Sequence, residues 1–441
     1  MMNTRVAAAA LVAITIARAQ IAPVLTIDDA VALALKGNRQ VQSAALDVGR
    51  AHEESAALKT TRLPQFNIWA LGGAPLRSFS FTIPPGVLGS YPATGPIPAQ
   101  TSTITNPRQP VGLIVGQAMQ PLSQLWKIHL SLVASQITED LAKERLRQKR
   151  QETAQSVREL YYQIAQTQTQ IESGEAMEKY LVELQGETDR KLVQLTVLKG
   201  DSLTVRARLS QQRYQLVDLR DASKTRKESL SRLLGRDLET EFSVEVQPAP
   251  RAEEIDMAAA HNLALRQRPE IQEARLDTKK AETELRRQHA EYIPDISAGL
   301  TYASFPNVSF APQNIIIAGL VLQWQPFDWG QKHHKLQALR YATKQTVLIE
   351  RDTEQQVLLD VNTQFRALAE ARMLLDTRAL AQEAQRETLR EVTNQYREKA
   401  VLLSGVLEQE RAMVQADSEY QSALAAFWKA KADFDRALGR E

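Results

Sequence analysis

The sequence has no cysteine, few aromatic residues and almost no net charge. Without cysteine, disulfides, thiolate metal sites and a lipid-modified N-terminal cysteine are excluded. A formal charge of +2 over 441 residues lacks the basic excess of a nucleic-acid-binding protein. There is no P-loop, no G-x-S-x-G elbow and no H-E-x-x-H pair, and the adjacent histidines His333 and His334 would not face one another on a helix. We expect no enzyme, no cofactor, no metal site and no nucleic-acid partner.

Long hydrophobic runs are also scarce. The run from Val6 to Ile16 follows Arg5 and precedes Ala17-Arg18-Ala19, which is the layout of a cleaved signal peptide. We therefore predict that residues 1–19 are removed and that the protein is exported. Their removal takes away two arginines and no acid, so the net charge falls from +2 to zero. No later stretch reaches the roughly 20 apolar residues that a helical stop-transfer segment needs.

The chain contains two copies of one unit. Leu33–Asp47 (LALKGNRQVQSAALD) and Leu263–Asp277 (LALRQRPEIQEARLD) align without a gap at an offset of 230, whereas Pro121 and Pro326, each in a QP dipeptide, differ by 205. Copy one therefore carries about 25 extra residues upstream of Pro121. They fall in a stretch rich in Pro, Gly, Ser and Thr, which predicts a long exposed loop over residues 76–110.

Short segments with an apolar–polar period of two predict strands within residues 65–120 and 295–326. Each is about ten residues long, the length of a tilted membrane β-strand; a soluble sandwich or a buried strand pair is the alternative. One face of the last strand is wholly apolar and is predicted to face lipid: Ile316, Ala318, Leu320, Leu322 and Trp324. Four strands are too few for a barrel, because closure needs about eight. Several chains would have to build one together.

Nearly everything else is predicted to be helical. Two segments of some 70 residues are dense in strong helix formers, and at 1.5 Å per residue each would reach roughly 100 Å. Each turns back on itself, at Val197–Ser202 and at Glu398–Gly405. The predicted fold is thus mainly α with a small transmembrane β part, built from two repeats. The predicted boundaries are repeat 1 over 20–240 with its hairpin at 123–235, a linker over 241–255, and repeat 2 over 256–441 with its hairpin at 331–439.

These motifs together resemble the TolC-like outer membrane efflux channels. The resemblance rests on the paired openings LTIDDAVALALKGN and IDMAAAHNLALRQRPEI, the strand starts PQFNI and PDISAGL, the QPFDWG junction, and the hairpin ends LLGRD and ALGRE. It implies a homotrimer with a twelve-stranded barrel in the outer membrane of a Gram-negative-type cell, joined to a periplasmic α-helical barrel. It further implies a passive duct for efflux or type I secretion, served by an inner-membrane pump of RND or ABC type and a periplasmic adaptor.

The resemblance also places a gated mouth at the hairpin tips. Tyr396 matches a tyrosine that precedes the second turn, and Glu408 falls where an aspartate is typical. Asp201 is a candidate acidic counterpart in copy one, although its position just after Gly200 also suits a helix cap, which is the favoured interpretation. The residues expected to dock the adaptor are Val197, Leu198, Gly200, Leu402, Leu403 and Gly405.

A different class of protein stays open at this point. A periplasmic coiled-coil scaffold or adaptor without its own pore could use the same long helices, with its strands docking on a partner. The apolar strand face separates the two hypotheses, because a scaffold should tolerate a charge at Leu320 whereas lipid should not. The exported substrate is not identified by any motif.

Overall fold

The computed structural model of the protein describes residues 24–106, 108–194, 198–248, 255–308, 312–398 and 400–440, with only the backbone described for Phe79, Asn106 and Leu403. The predicted signal peptide and Val197 lie outside these residues. Of the described residues, 68% are helical. The helices are α1 (Ile27–Gly37), α2 (Arg39–Thr60), α3 (Leu125–Val193), α4 (Lys199–Leu233), α5 (Met257–Gln267), α6 (Pro269–Ala290), α7 (Gln331–Arg397) and α8 (Leu403–Ala437).

The strands fall into one main sheet and three short pairs. They are β1 (Val24–Leu25), β2 (Gln65–Gly73), β3 (Phe79–Ile83), β4 (Ser90–Tyr91), β5 (Gly95–Pro96), β6 (Ser102–Asn106), β7 (Val111–Pro121), β8 (Ser243–Val244), β9 (Asp295–Ser304) and β10 (Asn314–Gln323). The main sheet is antiparallel with the order β10-β9-β7-β2. No helix within the described ranges is both long enough and apolar enough to cross a membrane.

The inserted segment 76–110 is more ordered than the predicted loop. It forms two antiparallel ribbons, β3 with β6 and β4 with β5. The reason is local: FSFTI and STITN consist largely of aromatic, β-branched and hydroxyl residues, which favour extended backbone. The Pro- and Gly-rich residues that suggested a loop lie mostly in the turns between these strands.

The duplication is visible element by element. Helices α1 and α2 recur as α5 and α6 at an offset of 230, and α4 recurs as α8 at an offset of 204, with 35 residues in each. The repeats also share a close helix contact. Gly235 has a φ of 71°, and a Cβ there would lie 2.0 Å from the carbonyl oxygen of Gly37, while Gly439 at φ 81° makes the corresponding approach to Gln267. A side chain fits neither site.

The chain divides into two compact units, and each draws on both repeats. The first comprises Met1–Ser43, Gln148–Arg268 and Val357–Glu441; the second comprises Ala44–Arg147 and Pro269–Gln356. In the first, Tyr161 is fully buried and its hydroxyl donates to the carbonyl oxygen of Leu25 at 2.9 Å and accepts from the backbone N–H of Glu245 at 3.0 Å. This satisfies a buried polar group and joins α3 to β1 and to the residue that follows β8.

In the second unit, a short polar contact joins the start of α3 to the start of β9. The hydroxyl of Ser123 donates to the carbonyl oxygen of Pro294 at 2.7 Å and accepts from the N–H of Ile296 at 2.8 Å. Lys127 reaches the carboxylate of Asp295 at 2.8 Å. These bonds fix the end of the sheet at which the helices begin, which we call the helix end; the opposite end, joined by residues 74–110 and 305–313, is the loop end.

Candidate functional site

The pairing of the four strands places all even-numbered residues on one face and all odd-numbered residues on the other. Ile316 pairs with Tyr302, Tyr302 with Gly116, and Gly116 with Ile68, which forms one row across the sheet. The next row runs through Ala318, Leu300, Ala118 and Phe66. The even-numbered face is therefore apolar over most of its area, and the predicted set Ile316, Ala318, Leu320 and Leu322 lies on it. Trp324 follows the last residue of β10.

The even-numbered face is also the more exposed one. In β7, Ile114 is 41% exposed and the neighbouring Val115 is 7% exposed. In β10, Leu320 is 72% exposed and Val321 is 50% exposed. A curled sheet shields the side chains on its concave side, so the odd-numbered face is concave and the even-numbered face is convex. At Gly299 a Cβ would lie 2.8 Å from the sulfur of Met119, which shows how closely the concave side chains pack.

Charge is almost absent from this sheet and its connections. Between Gln65 and Trp126 the only charged residues are Arg77 and Arg108, and between Ile296 and Phe327 there is none. Aromatic side chains collect where β10 ends. Trp324, Phe327 and Trp329 are all exposed, and the last two rings meet edge to face at a centroid distance of 4.8 Å. Such residues favour the boundary between lipid and water.

Both outer edges of the sheet are open. Among the described residues, no strand pairs with the free side of β2 or of β10. Each edge leaves a row of backbone N–H and C=O groups without partners in the described part of this chain, which a buried or lipid-facing sheet cannot tolerate. Because the order β10-β9-β7-β2 alternates in direction, the free side of β10 in one copy could pair antiparallel with the free side of β2 in another.

At the first hairpin tip, Asp201 makes a hydrogen bond within its own helix end. Its carboxylate accepts from the backbone N–H of Leu198 at 3.3 Å, in the first turn of α4. This is the helix-capping geometry that the sequence left as the alternative to a gate. Asp189 does join the two helices of this hairpin: it accepts from the hydroxyl of Ser202 at 2.7 Å and pairs with Arg206 at 3.2 Å. The hydrogen bond from Ser202 lowers the pKa of Asp189.

Tyr396 has a partner that the sequence did not reveal. The ammonium of Lys191 lies 3.4 Å from the Tyr396 hydroxyl and 5.3 Å from the ring centroid, and it also pairs with Glu187 at 2.7 Å. The bond to Glu187 raises the pKa of Lys191. Since 396 − 191 equals 205, the two residues occupy equivalent positions of the two repeats, but equivalence alone does not predict that they touch.

Glu408 is exposed, whereas Glu410 is 6% exposed. Burial raises the pKa of the Glu410 carboxyl, although a hydrogen bond from the Tyr180 hydroxyl and the charge of Arg208 act in the opposite direction. The carboxyl sits beside an apolar cluster of α3, α4 and α8 that includes Leu181 and Leu407. Sequence reasoning missed Glu410, because a glutamate in so charged a helix is usually solvated.

The predicted docking residues that the structure describes lie at the two tips. Leu198 and Leu402 are the N-cap residues of α4 and α8 and are 76% and 78% exposed. Gly200 has open space beside it, while a Cβ on Gly405 would lie 2.8 Å from a methyl of Val401. The side chain of Leu403 is not described. In the described part of the chain, no group of His, Asp and Glu side chains could hold a metal ion.

The chain thus combines long paired helices with a small, nearly uncharged sheet that has two open edges among the described residues. No protein-family model and no curated protein matches the sequence. Solved structures do match. CusC, whose crystal structures are described in terms of folding and transmembrane channel formation, has a TM-score of 0.76 with 16% identity, covering 94% of this chain and 92% of that one. The Campylobacter jejuni CmeC outer membrane channel has a TM-score of 0.76 with 14% identity, covering 94% and 85%.

The Vibrio cholerae outer membrane protein VceC has a TM-score of 0.73 with 14% identity, covering 94% of this chain and 96% of that one. The chain therefore has the fold of the TolC-like outer membrane channels, which confirms the predicted fold class.

Proposed function

We propose that the protein is one subunit of an outer membrane channel that provides a passive exit duct for efflux or secretion. The observation that carries the proposal is the four-stranded sheet with two open edges, an exposed apolar face and no charge on that face. A sheet that faces lipid needs an exposed apolar face without charge, but it cannot have open edges. The edges indicate that the membrane sheet is completed by other copies.

The proposed assembly is a homotrimer. Pairing the free side of β10 with the free side of β2 in the next copy preserves the antiparallel order, and three copies of four strands give a closed barrel of twelve. An even number of antiparallel strands, at least eight, is what bacterial outer membrane barrels have. The number of copies, three rather than two or four, is taken from the resemblance to the TolC-like channels.

The hairpin tips are the proposed periplasmic mouth. An adaptor would bind around the exposed Leu198 and Leu402, and an inner-membrane pump of RND or ABC type would supply energy, because a duct of this kind contains no site for chemistry. Glu408, exposed near the second tip, would form an acidic ring in the trimer and attract cations. The contact between Lys191 and Tyr396 would hold the tips of α3 and α7 together and so restrict the mouth.

The test is the mass of the protein extracted from outer membranes in detergent, measured by light scattering, followed by single-channel recording in planar bilayers. A mass of three chains and a conducting pore are expected. A monomer that a salt wash removes from the membrane would refute the duct and return the periplasmic scaffold as the better hypothesis.

A further inference from the structure

The concave face of the sheet changes character along its length. Near the helix end it carries the polar residues Asp295, Ser297 and Gln323 beside the apolar Val321 and Met119. Toward the middle a row runs through Ile317, Thr301, Gln117 and Asn67, so polar groups still dominate. A lumen wall of an outer membrane barrel is polar in the usual case, and this part of the face agrees with that pattern.

Near the loop end the same face becomes apolar. One complete row consists of Ile315, Ala303, Val115 and Trp69, and beside it Leu113 pairs with Leu71. We call these six residues the apolar belt. All four strands contribute to its first row, so the belt crosses the whole sheet from edge to edge.

The belt is not a packed core. Trp69 is 49% exposed and Leu71 is 65% exposed, while Val115 is covered. No charged residue lies in the strands at this height, and the nearest charges toward the loops are Arg77 and Arg108. In a closed barrel the belt would thus repeat around the exit as an uncharged, water-contacting apolar ring.

We infer that the apolar belt is a contact site for cargo and that the duct is adapted to uncharged or amphipathic organic molecules with an apolar part, rather than to metal ions or polar polypeptide. This inference rests on the proposed channel function. An exposed apolar wall gives no favourable contact to a hydrated ion, which loses hydration when it approaches low-dielectric surface. The same wall removes apolar area of an organic solute from water.

The experiment uses purified trimers in planar bilayers and neutral n-alkyl glucosides, from butyl to octyl, added below their micellar concentrations on the loop side. Blocking of the single-channel current measures their binding. The belt predicts that binding strengthens with every added methylene, by at most about fourfold, the ratio for full removal of a CH₂ from water.

A matched pair of double variants locates the site. Leu71→Thr with Ile315→Thr makes the concave face polar while placing β-branched residues in both strands, and it should flatten the dependence on chain length. Ile68→Thr with Ile316→Thr makes the comparable change in the same two strands on the convex face and should leave the dependence unchanged.

The outcomes separate this inference from the channel itself. A conducting native pore without any dependence on chain length overturns the belt and leaves the duct standing. Loss of the dependence in the convex-face variant alone also overturns it. Trimers that do not conduct refute the proposed function, and the inference falls with it. The alkyl series on the native trimer distinguishes these outcomes even if a belt variant fails to assemble.

Discussion

Replacing Leu320 with arginine tests the convex face directly. Leu320 lies within two residues of the centre of β10, is 72% exposed in the single chain and pairs with Ala298 on the same apolar face. An arginine facing lipid near the bilayer midplane costs about 2–4 kcal/mol. Three copies in one barrel bring the sum to about 6–12 kcal/mol, which equals the whole stability of a typical protein, about 5–15 kcal/mol.

We therefore expect Leu320→Arg to abolish trimers in the outer membrane, measured by light scattering of detergent extracts and by the amount of protein that resists a salt wash. Val321→Arg is the control, since it places the same charge in the same strand on the concave face, where water would solvate it. Normal trimer levels for Leu320→Arg would refute the lipid-facing assignment. Equal loss in both variants would show that the two faces do not differ as argued.

Three further predictions concern the helices. Burial raises the pKa of the Glu410 carboxyl above its ordinary 4.5. The stability that its protonated form contributes is therefore complete below pH 4.5 and is lost as the pH rises through the raised pKa. Since glutamine cannot lose a proton, the Tm of Glu410→Gln should rise relative to that of the native protein as the pH increases, and a Tm difference that stays constant with pH would contradict this. Gly235→Ala should destabilise by more than the ~1–2 kcal/mol of left-handed backbone, lowering Tm, while Gly49→Ala, in open space within α2, should stabilise by about 0.5–1 kcal/mol. Lys191→Met removes the contact to the tyrosine at the second tip and should raise single-channel conductance, unlike Lys179→Met in the exposed surface of α3; equal conductances would exclude a latch there.

The sequence predicted those features that depend on local pattern. Period-two alternation located the strand Asp295–Ser304 and the apolar face of β10, and the absence of proline located α3 and α7. Binary pattern is sufficient there because each side chain's environment follows from its own strand or helix. The segment 76–110 was misjudged because turn residues dominate its composition, while two short ribbons occupy the stretches between the turns.

The contacts of the candidate site depended on pairings that no local pattern encodes. Lys191 and Tyr396 are 205 residues apart. The pKa of Glu410 is raised by burial and lowered by Tyr180 on one helix and Arg208 on another. The apolar belt likewise required the register of four strands, because its residues alternate with the apolar residues of the opposite face. For Asp201 the sequence left a cap and a gate open, and the contact that the structure gives it, with the backbone of Leu198, is the local one of the two.

In the proposed assembly, the open edge of β10 would leave each chain prone to aggregation until the barrel closes. From Asn314 to Gln323 the strand has no charge and no proline, and such segments stack readily with copies of themselves. Native edge strands usually carry a charge, a bulge or a proline that prevents this, and here those devices would block the pairing on which assembly depends. Chains produced faster than the proposed trimer closes should therefore aggregate through this edge.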